Sequence, residues 1–309
     1  MQLLNYTSIW NPCNPDYYYA AIEIICLLIP ALLPNIYFFK LAIYQKLFKN
    51  RPILRYTIII QTTQYIFSTI FTLSITLLYF YSAVNGNEIH MVSCSLLRAL
   101  QQLFIFSLSS TPFIIAIIRN FSVTKRKHLN ILVIFALAII LNTPTLIVLY
   151  EFFFSKTMII DHEICGKIIE VENMTLVLVN ILCIAAYPFL GFVTNILTYF
   201  SLKKQYSRML RNSRFKQEKD VILNLSIQSI IPLVSQAPML ILLLLSYINR
   251  WQYEYYLWRI TDFIYYTHFI YVIFLSTIFI EEIRSHIIPQ FKRNDTHVYS
   301  SVLKMNDHT

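Results

Sequence analysis

The sequence predicts an all-α membrane protein: a seven-transmembrane helix bundle with its N-terminus outside and its C-terminus cytoplasmic. Three observations carry that expectation. First, 57 % of the residues are hydrophobic and only 13 % charged, with 3 Gly in the chain, whereas soluble domains carry about 25 % charged residues. Second, long apolar stretches recur at about 18–39, 56–81, 93–118, 129–154, 174–202, 221–248 and 255–280, each near the roughly 20 residues that span a bilayer as a helix. Third, the basic residues lie on one side. The segment 45–55 holds Lys46, Lys49, Arg51 and Arg55, and 119–128 holds Arg119, Lys125, Arg126 and Lys127. The segment 203–220 holds Lys203, Lys204, Arg208, Arg211, Arg214, Lys216 and Lys219, while the opposite loops hold Lys156, Lys167 and Arg250. By the positive-inside rule the first set is cytoplasmic. The net charge of +9 therefore belongs to the inner membrane face rather than to a nucleic-acid surface.

Residues 1–17 are polar and aromatic and lack the apolar core of a cleavable signal. Asn5-Tyr6-Thr7 is an N-glycosylation sequon that serves only if this end is lumenal. Pro30 and Pro34 interrupt the first stretch, Pro112 the third, Pro144 the fourth, Pro188 the fifth, and Pro232 with Pro238 the sixth. Membrane helices tolerate such prolines because neighbouring helices satisfy the carbonyls they free. The second stretch carries a polar stripe, Gln64, Ser68 and Thr72, suited to hold helix against helix. Beyond the seventh, residues 281–294 place Ile283, Ile287 and Ile288 on one face, as a short amphipathic helix on the inner leaflet would. Residues 295–309 form a polar tail without a core pattern and are expected to be disordered.

The third stretch organises the rest. At 100° per residue, Cys94, Arg98, Gln101, Gln102, Ile105, Ser109, Pro112 and Arg119 fall within an arc of roughly 100°. A charge at the apolar centre of a membrane helix costs on the order of 2.5–3.5 kcal/mol, so this stripe faces protein or water. Arg98 needs a counter-charge or a hydrated cavity. Asp262 and Glu23 are candidate partners, although Arg259 and Asp262 can instead pair with each other at i, i+3. Were Arg98 open to a cavity, an anionic or carbonyl-bearing ligand would suit it. Gln101, Gln102, Tyr265, Tyr266 and His268 are candidates to line such a pocket, with interhelical bonding as the alternative for each. Cys94 opens the third stretch on the outer side and Cys165 sits in the outer loop 155–173, so the two can bridge in an oxidising space; Cys13, also outside, is the competing partner.

An outside N-terminus, seven helices, a cysteine opening the third, another in the second outer loop and Arg119 ending the third together resemble a G-protein-coupled receptor. The 25-residue interval from Cys94 to Arg119 matches that of rhodopsin-like receptors. Ile118 and Asn120 depart from the acidic and tyrosine neighbours of that arginine, and Leu275-Ser276-Thr277-Ile278-Phe279 replaces the Asn-Pro-x-x-Tyr ending. No acidic residue lies in the second stretch, so the sodium pocket of that class is not expected. Residues 223–244, with Gln228, Pro232 and Pro238, are similar to the sixth helix of nematode serpentine chemoreceptors of the str-like superfamily. FIEEIRSHI, residues 279–287, resembles their cytoplasmic exit, with Ile283-Arg284 in place of its Tyr-Arg.

That resemblance implies an odorant-like small-molecule ligand, a heterotrimeric G-protein partner, no cofactor, and a plasma-membrane location in sensory-neuron cilia. It also gives Arg119 a switching role. Glu218 or Asp220 is then expected to pair with Arg119 at rest, and Pro232 and Pro238 to kink a moving sixth helix. The alternative is a transporter or ligand-gated channel, which calls for ionisable residues through the midplane and often for repeated halves. No HExxH, GxSxG or paired intramembrane carboxylate points to an enzyme.

Overall fold

The computed structural model describes residues 10–13, 17–45, 48, 52–85, 88–125, 129–154, 174–206, 213–249 and 255–278. Asn5, Cys165, the segment 281–294 and the tail 295–309 lie outside the described residues, as do the side chains of Glu218 and Asp220.

Seven long helices occur among the described residues: α1 Tyr18–Tyr44, α2 Pro52–Asn85, α3 Met91–Lys125, α4 Ile131–Phe154, α5 Met174–Tyr206, α6 Ser213–Asn249 and α7 Tyr255–Ile278. All the prolines noted above sit inside continuous helices. At 1.5 Å per residue the 35 residues of α3 measure about 52 Å, well beyond a hydrocarbon core of about 30 Å. The helices therefore run past their apolar stretches, α3 to Lys125 and α6 from Ser213.

Five of them (α1, α2, α3, α5 and α6) are long and apolar enough to cross a membrane, where seven such spans are expected from the sequence. The apolar part of α4 found among the described residues, Ile131–Ile147, is shorter. In α7, the polar side chains of Arg259, Asp262 and His268 and a run of tyrosines dilute the hydropathy. Large apolar side chains such as Leu33, Leu77, Phe135, Ile140, Leu197 and Val234 point outward, while Gln61, Thr62, Ser68, Gln101, Ser109, Asn195 and Gln228 are buried inside. That distribution is the reverse of a water-soluble bundle and suits a multi-pass membrane protein.

Helix α1 packs on α2 and α7, α2 on α3, α5 on α3 and α6, and α6 on α7, which closes a ring; α4 lies against α3 and α5. Helix α3 touches α2, α4, α5 and α6. More than half of its apolar span is buried, a larger share than in the other four. The largest apolar core fills the wedge between α1, α2 and α7, with Ala20, Ala31 and Ala42 on α1 against Ile58, Tyr65, Phe269 and Val272. Small residues there let the backbones approach closely.

One short sheet, not expected from the sequence, accompanies the helices. Trp10–Pro12 (β1) pairs antiparallel with Glu88–His90 (β2), Trp10 opposite His90 and Pro12 opposite Glu88. Three residues per strand leave no periodicity to read, and the pairing exists only because folding brings the N-terminal segment beside the α2–α3 connection. At the start of α3, His90 caps the helix, its Nδ1 accepting from the Ser93 N–H at 3.3 Å. Asn130 caps α4 through Oδ1 and the Leu132 N–H, 3.1 Å apart.

Candidate functional site

The polar stripe of α3 faces inward at both ends. At the Cys94 end, Arg98 donates to Gln101 Oε1 at 3.0 Å, and Gln101 Nε2 donates to Thr72 Oγ1 of α2 at 2.7 Å. Cys94 is buried and disulfide-bonded, whereas Cys13, Cys26 and Cys183 are free; Cys13 is thus not its partner. Asp262 forms a salt bridge with Arg259 at 2.7 Å, the i, i+3 alternative, and Glu23 lies close enough to Arg259 to feel its charge.

Tyr265, Tyr266 and His268 come together on α7 in one aromatic cluster with Tyr65 of α2 and Phe269. The His268 ring lies 5.8 Å from Tyr65 and 4.7 Å from Phe269, and Tyr65 lies 5.1 Å from Phe269. His268 is completely buried, and its Nδ1 meets the carbonyl of Tyr265. A carbonyl only accepts, so Nδ1 is the donor in this contact. His268 Nε2, the Tyr265 hydroxyl, the Ser68 hydroxyl and Gln102 Oε1 are buried with no hydrogen-bond partner. The sequence-selected pocket residues thus fall into two groups: Arg98, Gln101 and Gln102 on α3, and Asp262, Tyr265, Tyr266 and His268 on α7.

Farther along, Gln64 Nε2 of α2 donates to Ser107 Oγ at 3.0 Å and Thr111 Oγ1 at 2.8 Å, Ser110 Oγ meets Asn142 Oδ1 of α4 at 2.9 Å, and Ser109 Oγ meets Gln236 Oε1 of α6 at 3.3 Å. Between Pro232 and Pro238, both inside α6, the helix therefore touches the centre of α3.

At the basic end, Arg119 is only 3 % exposed. Its neighbour Asn120 donates to Thr198 Oγ1 of α5 at 2.9 Å, and Gln205 of α5 donates to the Val123 carbonyl at 3.3 Å. The residue that departs from the receptor pattern beside the arginine thus ties α3 to α5. Gln228 of α6 is also buried, as are Asn195 of α5 and Asn224 of α6, which have no part in the sequence reading. The spacing Gly191, Asn195, Thr198, a small-and-polar face on an otherwise apolar helix, is the signal that marks Asn195. Lys125, Lys203 and Lys204 are exposed around this end.

Outside the spans, burial pushes the Cys13 thiol above its ordinary range. Among the described residues no three His, Cys, Asp or Glu side chains come together to hold a metal ion.

The crystal structure of squid rhodopsin is similar to this chain over 94 % of its length and 91 % of that protein's, with a TM-score of 0.64 and 17 % sequence identity. The fold is that of rhodopsin. No protein-family model matches the chain. No curated protein sequence matches it either. Within that fold α3 is the central helix, with one end at the disulfide-bonded Cys94 and the other at the buried Arg119.

Proposed function

We propose that this chain is a G-protein-coupled chemosensory receptor. A small, odorant-like molecule binds among the helices at the Cys94 end, and a heterotrimeric G protein couples at the basic end. The observation that carries this reading is α3 itself: one helix of a rhodopsin fold with hydrogen-bonding groups turned inward at one end and a buried arginine at the other. The unpartnered polar atoms of Ser68, Gln102, Tyr265 and His268 support ligand recognition, because buried groups without partners gain from a ligand that supplies them. The similarity of residues 223–244 to str-like receptors supports the chemosensory assignment.

In this reading the N-terminus is outside, the C-terminus cytoplasmic, the location the plasma membrane of sensory cilia, Asn5 glycosylated, and Cys165 the partner of Cys94. Glu218 or Asp220 pairs with Arg119 at rest. The ligand acts by binding the state with α6 moved outward better than the resting state.

The test uses chains tagged at both termini to read orientation, then second-messenger responses to pooled volatile and water-soluble compounds, for wild type and Arg119→Ala at equal surface expression. A response lost in the mutant supports the reading. A ligand-evoked current that survives both Arg119→Ala and G-protein blockade replaces it with a channel.

A further inference from the structure

The seam between α3, α5 and α6 is pinned at two levels. At the first, a Cβ on Gly191 of α5 would lie 3.2 Å from Ser229 Oγ of α6 and 3.3 Å from the Phe113 backbone of α3, so α5 lies almost in backbone contact with α3 and against a small side chain of α6. At the second, Asn120 of α3 holds Thr198 of α5 at 2.9 Å. Asn195 stands between, one turn from Gly191 on the same face of α5. It is 0 % exposed, and neither its Oδ1 nor its Nδ2 has a hydrogen-bond partner.

Among the described residues, the buried Asn35 and the half-buried Asn142 do not share that state. Asn35 and Asn142 each donate back to the carbonyl four residues earlier, Ala31 O at 2.7 Å and Ala138 O at 2.8 Å, and each also meets a neighbouring helix. On α6, which runs antiparallel to α5, the residue one turn from Ser229 at this level is Leu225, buried in a small apolar cluster with Val221 and Ile115 of α3. The Asn195 amide, which can both donate and accept, finds no partner there. A buried polar group left unpaired costs its full desolvation, whereas an apolar group of similar shape in its place is neutral or stabilising.

We propose that Asn195 biases the bundle toward opening: its amide, unpaired in the closed α3–α5–α6 seam, becomes hydrated when α6 leaves α3. This inference rests on the reading of α6 as the moving helix. It makes Asn195 a positioning residue for the switch rather than a ligand or G-protein contact. The Asn120–Thr198 bond fixes α5 on α3, packing at Gly191 seats α6 against the pair, and this side chain opposes that closure.

The test measures the distance between spin labels at Lys125→Cys of α3 and Lys219→Cys of α6, both exposed positions at the basic end. The full chain is placed in lipid nanodiscs with Cys13, Cys26 and Cys183 replaced. No ligand or G protein is added, so the measurement is independent of coupling. Asn195→Leu is expected to lower the fraction of long distances about tenfold or more and to raise Tm. Asn195→Ala, which removes the amide without adding bulk, moves the open fraction in the same direction if Leu fails to fit. An unchanged open fraction in both variants, or a wild type that shows only the short distance, overturns the proposal. A shift as expected, in a chain that never activates a G protein, sustains it and removes the receptor reading instead.

Discussion

Arg55 offers the sharpest test of how the bundle is held together. In the sequence it is one of the basic residues that set orientation; in the structure it closes the end of a helix. Helix α1 stops at Tyr44, where Gln45 turns extended (φ −78°, ψ 131°) and its N–H returns to Leu41 O at 3.0 Å. The carbonyls of Ala42 and Ile43 are then left without donors from their own helix. Arg55, at the start of α2, supplies them, Nε to Ala42 O at 2.9 Å and Nη2 to Ile43 O at 3.2 Å. A hydrogen bond to a charged group contributes about 1.5–3 kcal/mol, and a cation at a helix C-terminus a further 0.3–1 kcal/mol or so. The site is half-buried and the second bond long, so the lower ends apply, about 2–3 kcal/mol in total. Arg55→Ala is expected to lose that amount in equilibrium unfolding from mixed micelles, with faster amide exchange in the last turn of α1. Arg55→Lys keeps the charge but not the two-pronged donor, and is expected to lose about half. A lysine variant as stable as wild type would show that charge alone matters and refute the capping argument.

Three further predictions concern other contacts. A double-mutant cycle on Gln101→Leu and Thr72→Val should give a coupling of about 0.6–1.7 kcal/mol, the range for interhelical hydrogen bonds in membranes; zero coupling would mean that the 2.7 Å contact does not hold α2 to α3. Gly191→Ala forces its new Cβ against Ser229 Oγ and the Phe113 backbone and should cost about 1–3 kcal/mol. Adding Ser229→Ala should restore only part of that, because the backbone contact remains, and full restoration would refute it. Because burial raises the Cys13 pKa, little of it is thiolate at neutral pH, and the fraction grows only as pH climbs through the raised value. Maleimide should therefore label Cys13 far more slowly than a cysteine placed at Lys125, with the gap narrowing at high pH. Equal rates at pH 7 would contradict its burial.

Much of the fold was legible because a bilayer leaves the backbone few choices. A spanning segment must satisfy its own N–H and C=O groups, so each long apolar run is a helix, and the prolines that would stop a soluble helix sit inside α1, α3, α4, α5 and α6. The inward face of α3 was legible too, since the angular position of Gln101, Ser109 and Arg119 depends only on 3.6 residues per turn. The candidate sites were legible only in part. Periodicity gives the angle of a side chain about its own helix, but not which neighbour it meets or at what height along it.

The amino-acid sequence by itself determined that the chain is helical, that it suits a membrane, and that α3 turns a polar stripe inward, because those follow from hydropathy, helical pitch and the cost of exposing polar groups to lipid. Tertiary structure alone decided the partners. Gln101 reaches Thr72, Asn120 reaches Thr198, Arg55 closes α1, and β1 finds β2. It also left Asn195 with no partner at all. Each of these depends on the sliding and rotation of one helix against another, which close packing of the whole bundle sets at once and no local pattern encodes.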